Sequence, residues 1–300
     1  KSIKIFEDKE QILQALFERT FQNLNSLSKR IFLTLCNWRS IIPEIAVEMV
    51  FICNQSDIAE TEFNHQDVSD SIDDLRRFSF IEIVNPKAEF RFINVPLTAS
   101  IFGLTQIRVS PLKSVIEADT RILREFGATQ IVNIGDGIEP RIRAFFSYTA
   151  IQVGKNKNDL DNKLNMLKFI SRRFPNGWLY MANLFEDLKE TYSVKECLLE
   201  FLRSNTNEEF KQSVWKRLSD IYFYEGKYIN QMEALLTKCE YKETTLSEIS
   251  ETAYKLTTYF REKKLDTLRP DVRLEIINRL TKLFENNKEL TYVSFVNNRL

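Results

Sequence analysis

The chain has 300 residues, enough for two ordinary domains that each bury a core. Its 42 Lys and Arg balance 42 Asp and Glu, which removes the electrostatic case for a dedicated binder of nucleic acid or anionic membrane unless a local basic patch restores it. With only 7 Gly and 7 Pro against abundant Leu, Ile, Lys and Glu, the composition predicts a mostly α protein with short connections. Cys36, Cys53, Cys197 and Cys239 are scattered, without paired metal-ligand spacing, and read as small buried hydrophobes of a reducing, cytoplasmic compartment. No apolar run approaches the roughly 18 residues that span a bilayer, and no secretory leader is visible. The chain opens at Lys1 without a methionine, which reads as a piece of a longer protein.

Residues 5–35 predict two helical stretches. Leu24, Leu27, Ile31 and Leu35 form an apolar stripe, with Lys29 and Arg30 away from it. Pro43 is placed as the first residue of a second helix lined by Ile45, Met49, Val50 and Cys53. A polar break leads to "QDVSDSIDDLRRF", where Val68, Ile72, Leu75 and Phe78 make a narrow stripe and the acidic side faces outward. Alternation then predicts a hairpin, Phe80–Val84 and Phe90–Ile93 around an Asn85-Pro86-Lys87 turn. Three helices and a hairpin of this size make a winged helix. Pro96 opens a short helix, and a longer one stops at Gly127. The glycine-bearing "GATQIVNIGDG" is the best linker candidate; it lacks the Lys-Ser/Thr ending of a phosphate loop and reads as a hinge or turn.

From Ile138 onward the chain repeats itself. "WLYMANLFEDL" from Trp178 aligns with "WKRLSDIYFYE" from Trp215, 37 residues later: Met181 meets Leu218, Ala182 meets Ser219, Phe185 meets Tyr222. Fainter copies lie one offset to either side, in "RIRAFFSYTA" and "TAYKLTTYF". A period in the thirties built from helix pairs predicts an α-solenoid. Trp215, Leu218 and Tyr222, followed by Gly226 and Tyr228, resemble the tetratricopeptide pattern; Gln231 and Lys238 depart from it where small residues belong. Trp178 and Trp215 read as core rather than ligand contacts.

Catalytic chemistry is sparse. His65 is the single histidine and falls in a polar loop, so no Ser-His-Asp or Cys-His arrangement can be assembled without it. Cys and His are too scattered for a zinc site. Acid pairs such as Asp73-Asp74 and Glu208-Glu209 read as solvated helix faces. The expectation is no enzyme, no catalytic residue and no metal within these residues. DNA reading is disfavoured as well: duplex carries a phosphate charge per about 1.7 Å, whereas the reader-like helix sets Asp67, Asp70, Asp73 and Asp74 against Arg76 and Arg77. Those four aspartates are therefore protein-interface candidates.

A winged helix, a bridging helix and tetratricopeptide-like pairs together resemble the C-terminal part of STAND NTPases, the signal-transducing ATPases with NB-ARC and NACHT classes. The likeness is carried by "SLSKRIFLTLCNW", "DVSDSIDDLRRFSFIEIV" and "EFRFINVPLTASIFG", within 26–103. The resemblance implies an upstream P-loop domain that binds ATP or ADP and packs on the winged helix. It also implies a histidine after the wing, within Met-His-Asp, on the phosphate of ADP. Here Ile93-Asn94-Val95 stands at that place. An Asn94 amide can donate to a phosphate oxygen, or Asn94 is a strand-end turn residue. The layout expected is a leading helix at 1–18, the winged helix at 19–104, bridging helix and linker at 105–138, and repeats at 139–300. Partners expected are the upstream nucleotide-binding domain and a protein or peptide on the repeats, with no membrane and no nucleic acid. The rivals are a DNA-binding transcriptional regulator with a repeat effector domain, and a free-standing repeat scaffold.

Overall fold

The structure, a computed structural model, describes residues 2–38, 40–53, 63–84, 91–127, 137–155, 158–204, 208, 210–242 and 244–286. The expected wing turn at 85–87, Phe90 and most of the linker lie outside them. The described residues are mostly helical with one small sheet, and the chain divides into two compact units, Lys1–Tyr180 and Met181–Leu300. No described helix is long and apolar enough to cross a membrane.

In the first unit the elements are α1 (Ser2–Asn23), α2 (Ser26–Trp38), β1 (Ile42–Pro43), α3 (Glu44–Cys53), α4 (His65–Arg77), β2 (Glu82–Val84), β3 (Phe92–Asn94), α5 (Leu97–Val109), α6 (Lys113–Gly127), α7 (Glu139–Lys155), α8 (Asn158–Arg173) and the start of α9 (Asn176–Asp187). The antiparallel sheet runs in the order β1-β3-β2. Ile93 faces Ile42 on one side and Ile83 on the other, and Asn94 pairs with Glu82. β1 is not foreseen by the sequence pattern. Pro43 sits in it rather than opening α3, and an edge strand tolerates a residue with no N–H to give the ladder. Phe80 and Ile81 precede β2 as buried residues.

Leu27, Ile31 and Leu35 are buried on α2 as their spacing predicts, whereas Leu24, also buried, lies in the break between α1 and α2. Three other expectations are corrected. Phe78 lies past the end of α4 and is 40% exposed, so Phe80 takes the core place; Ser79, at φ 59°, turns the chain between them. α3 is buried all round from Glu44 to Phe51, not on one side. Arg30 is buried, because Asp119 of α6 accepts two bonds from it at 2.7 Å each. That pair, with Asn37 donating to Thr120, joins α2 to α6, so the expected bridging helix lies in the core of this unit. The division between the two units falls at 180/181. Phe17, Phe21, Phe32, Phe80 and Phe102 tie α1, α2 and α5 together, with ring centroids from 4.6 to 6.5 Å apart. α5 approaches α2 so closely at Gly103 that a Cβ would lie 2.3 Å from Cys36 Sγ.

The second unit completes α9 and adds α10 (Thr191–Ser204), α11 (Lys211–Tyr224), α12 (Tyr228–Cys239), α13 (Leu246–Arg261) and α14 (Pro270–Asn286). Its turns recur. Lys189, Gly226 and Lys263 are left-handed residues spaced 37 positions apart, at φ 61°, 69° and 60°. Each closes the same pair of bonds: the left-handed residue donates to the carbonyl three back, and its successor donates to the carbonyl five back, on Phe185, Tyr222 and Tyr259 respectively. This is the Schellman ending, which returns the chain for the next helix. Behind the turns, Met232, Leu236, Ile249, Leu256, Ile276 and Leu280 belong to one apolar cluster of α12–α14. Gln231 and Lys238 are buried there and bonded: Tyr259 donates to Gln231 at 2.6 Å, and Lys238 pairs with Glu248 at 2.6 Å. Polar cross-links between α12 and α13 occupy positions where small residues were expected.

Candidate functional site

The acidic helix α4 begins at a capping box. The Asn64 side chain accepts from the Gln66 and Asp67 N–H groups, and the Asp67 carboxylate accepts from the Asn64 N–H at 2.9 Å. Val68, Ile72 and Leu75 anchor its inner face. Asp67, Asp70 and Asp73 are exposed, and Asp74 is half-buried. Asp67 is thus spent on the cap, Asp70 accepts from Gln66 at 2.7 Å, and Asp74 pairs with Arg77 at 2.9 Å. Arg77 also lies over the Phe78 ring, 4.6 Å from its centroid. Both its charge and its plane are therefore engaged within the helix end.

Beside α4 is a cavity of about 400 Å³ lined by Glu44, Ile45, Glu48, His65, Ser69, Arg91 and Arg173. Arg91, just ahead of β3, donates to both Glu44 oxygens at 2.5 Å, and its own carbonyl accepts from the Glu44 N–H at 2.9 Å. One residue is therefore gripped by backbone and side chain together. Glu48 lies one turn further along α3, 3.2 Å from His65 Nδ1 and 3.4 Å from Arg173 Nη1. Burial pushes the Glu48 carboxyl above its usual range, with the Arg173 and His65 charges opposing that rise and Glu44 adding to it. The Arg91 guanidinium is pushed up, chiefly by its hydrogen bond to Glu44, with the charges of Glu44, Asp73 and Glu48 adding.

His65 is thus at the first position of α4 and lines the cavity, where the sequence placed it in a solvated loop. Asn94 is half-buried on β3 and donates to Glu82 at 3.5 Å. An anion at that amide would meet a carboxylate. The structure does not bring Asn94 into the lining of the cavity. Glu44, Glu48 and Arg173 escaped the sequence analysis, although one signal was there: two carboxylates four residues apart in the otherwise apolar "PEIAVEMVFIC" must find partners if that helix is buried. Among the described residues no group of His, Cys, Asp and Glu is arranged to hold a metal. No family model, curated protein or solved structure matches the chain.

Proposed function

We propose that this chain is a non-catalytic regulatory fragment of a STAND-type signalling ATPase, in which a winged helix packs on a nucleotide-binding domain and tetratricopeptide-like pairs take a protein or peptide. The winged-helix reading is supported by the order α2-β1-α3-α4-β2-β3 with strands arranged β1-β3-β2. The repeat reading is supported by three matching turns at the 37-residue spacing of the sequence copies. Solenoids present extended surfaces suited to peptides. Any ATP or ADP would be held by the upstream domain, and a G-x4-G-K-[S/T] loop encoded ahead of Lys1 is the expected finding.

The observation that carries the protein-facing reading is the state of α4. Asp67, Asp70 and Asp73 face solvent with Arg76, while Arg77 and Arg91 are tied to Asp74 and Glu44. A surface so charged opposes a polyanion and suits a basic protein neighbour. Anisotropy titration of the chain with a mixed-sequence duplex tests it: no saturable binding is expected even at low salt. Tight binding that weakens steeply as salt rises would transfer the module to the DNA readers. Asp70→Asn with Asp73→Asn should raise residual duplex binding if charge is what excludes DNA.

A further inference from the structure

The cavity beside α4 separates its charges by depth. The carboxylates lie at the bottom, with Glu44 7% and Glu48 5% exposed. The groups opposite them stand at the mouth: the side chains of Arg91, Arg173 and His65 keep 34%, 39% and 54% of their surface. Summed charge is near balance, yet an incoming ion meets the cationic groups first, and nearer charges dominate its energy. The buried carboxylates orient these cations without saturating them. Glu44 engages Nε and Nη2 of Arg91, and Glu48 engages only Nη1 of Arg173 and Nδ1 of His65, both at more than 3 Å. Arg173 Nε and Nη2 and His65 Nε2 lie outside those contacts, and Ser69 adds a hydroxyl to the wall. Asp73 is the further acid whose charge reaches Arg91, and it is exposed and screened by solvent.

We infer that this cavity binds a small oxyanion, phosphate or carboxylate, through Arg173 and Arg91 with His65 as third donor. Arg173, whose Nε and Nη2 lie outside its contact with Glu48, offers the planar fork that suits two oxygens of one anion, while Arg91, held to Glu44 through Nε and Nη2, adds Nη1. The space of about 400 Å³ accepts a group of that size. Donors come from α4, the residue before β3 and α8, so occupancy would brace three segments of the first unit at once.

The single histidine makes the test direct, because one imidazole signal reports the site. The chain is titrated with inorganic phosphate and, separately, with succinate, at ionic strength held constant with chloride. A saturable shift of the His65 signal is expected, and the tighter of the two anions tells a tetrahedral from a planar preference. Arg173→Gln should weaken that anion at least about tenfold, the loss expected for a charge-assisted bond. Arg173→Lys, which keeps the charge and loses the fork, should weaken it less and serves where the glutamine variant fails to fold. Shifts that never saturate with either anion, or saturable binding indifferent to both Arg173 variants, overturn the site. So does duplex DNA that moves the same signal more tightly than phosphate, an outcome that would also sink the protein-facing reading, whereas silence from both anions leaves that reading intact.

Discussion

The unit ending at Tyr180 and the unit beginning at Met181 are both helical, but they fix their chains by different means. The first is closed by pairs distant in sequence: Arg30 with Asp119 across 89 positions, and Arg91 with Glu44 across 47. The second repeats one local device, a left-handed helix ending at Lys189, Gly226 and Lys263, and its polar cross-links span from 10 positions, at Lys238 with Glu248, to 46, at Arg279 with Glu233. Long-range closure makes a structure that is complete or not at all. A recurring local turn, by contrast, lets damage at one repeat stay closer to that repeat.

The largest effect should come from Asp119→Ala, which leaves Arg30 buried without its carboxylate. A loss of about 3–5 kcal/mol is expected, read as a fall in the denaturant midpoint, with hydrogen exchange speeding up across α2 and α6 and staying unchanged in α11–α14. Equal acceleration in both units would erase the contrast. Gly103→Ala should cost about 1–3 kcal/mol in the same assay, since its methyl would collide with Cys36. In the second unit, Gln231→Ala removes the acceptor of a buried tyrosine hydroxyl and should cost about 1–3 kcal/mol, with faster exchange confined to α12 and α13. The turns give the smallest and most diagnostic effects. Lys189→Gly and Lys263→Gly should each stabilise by up to about 1 kcal/mol, while Gly226→Ala should cost about that much, its Cβ meeting only backbone strain and no neighbour.

Acid should sharpen the same comparison at two carboxyls displaced in opposite directions, Glu248 and Glu48. Glu248 is held down at about 2 by its bonds to Lys238 and the Thr245 backbone, and Glu225 and Glu262 are lowered too, by bonds to Lys195 and to Lys264. Carboxyls lowered in the folded state supply stability above their ordinary range, and that stability drains away as pH falls towards 2. Glu48 in the first unit is raised, so the folded state takes up its proton more readily; its contribution is present at low pH and is lost as pH climbs through the raised value. Unit-resolved hydrogen exchange between neutral pH and pH 3 should therefore show the second unit weakening, and Glu48→Gln should make the first unit lose more on acidification than the parent chain does.

What the sequence made legible follows from periodicity. Stripes such as Leu27, Ile31 and Leu35 announce helices, and a doubled tryptophan at fixed offset announces a recurring turn. The finer points were set by partners far along the chain. Arg30 looks like surface until Asp119 is known to face it, and α3 looks one-sided until β1, α4, α6 and α8 enclose it. β1 is two residues long and contains a proline, so no alternation could reveal it. The aspartates of α4 were visible as charge, but not as cap, helix-end pair and neighbour of Arg91. The cavity was hidden for the same reason, since its lining is drawn from four separate stretches of chain.

The placement of the thiols has a practical consequence. Cys36 and Cys53 belong to one unit, Cys197 and Cys239 to the other. Desolvation suppresses ionisation of Cys36 and Cys239 and pushes Cys53 up to about 11, so alkylation waits on the chain opening. Cys36, sealed beneath the Gly103 crossing, should be the last to react, and Cys53, the one that is not fully buried, the first. Mass spectrometry of labelled peptides would thus time the breathing of each half separately, with clocks the molecule already carries.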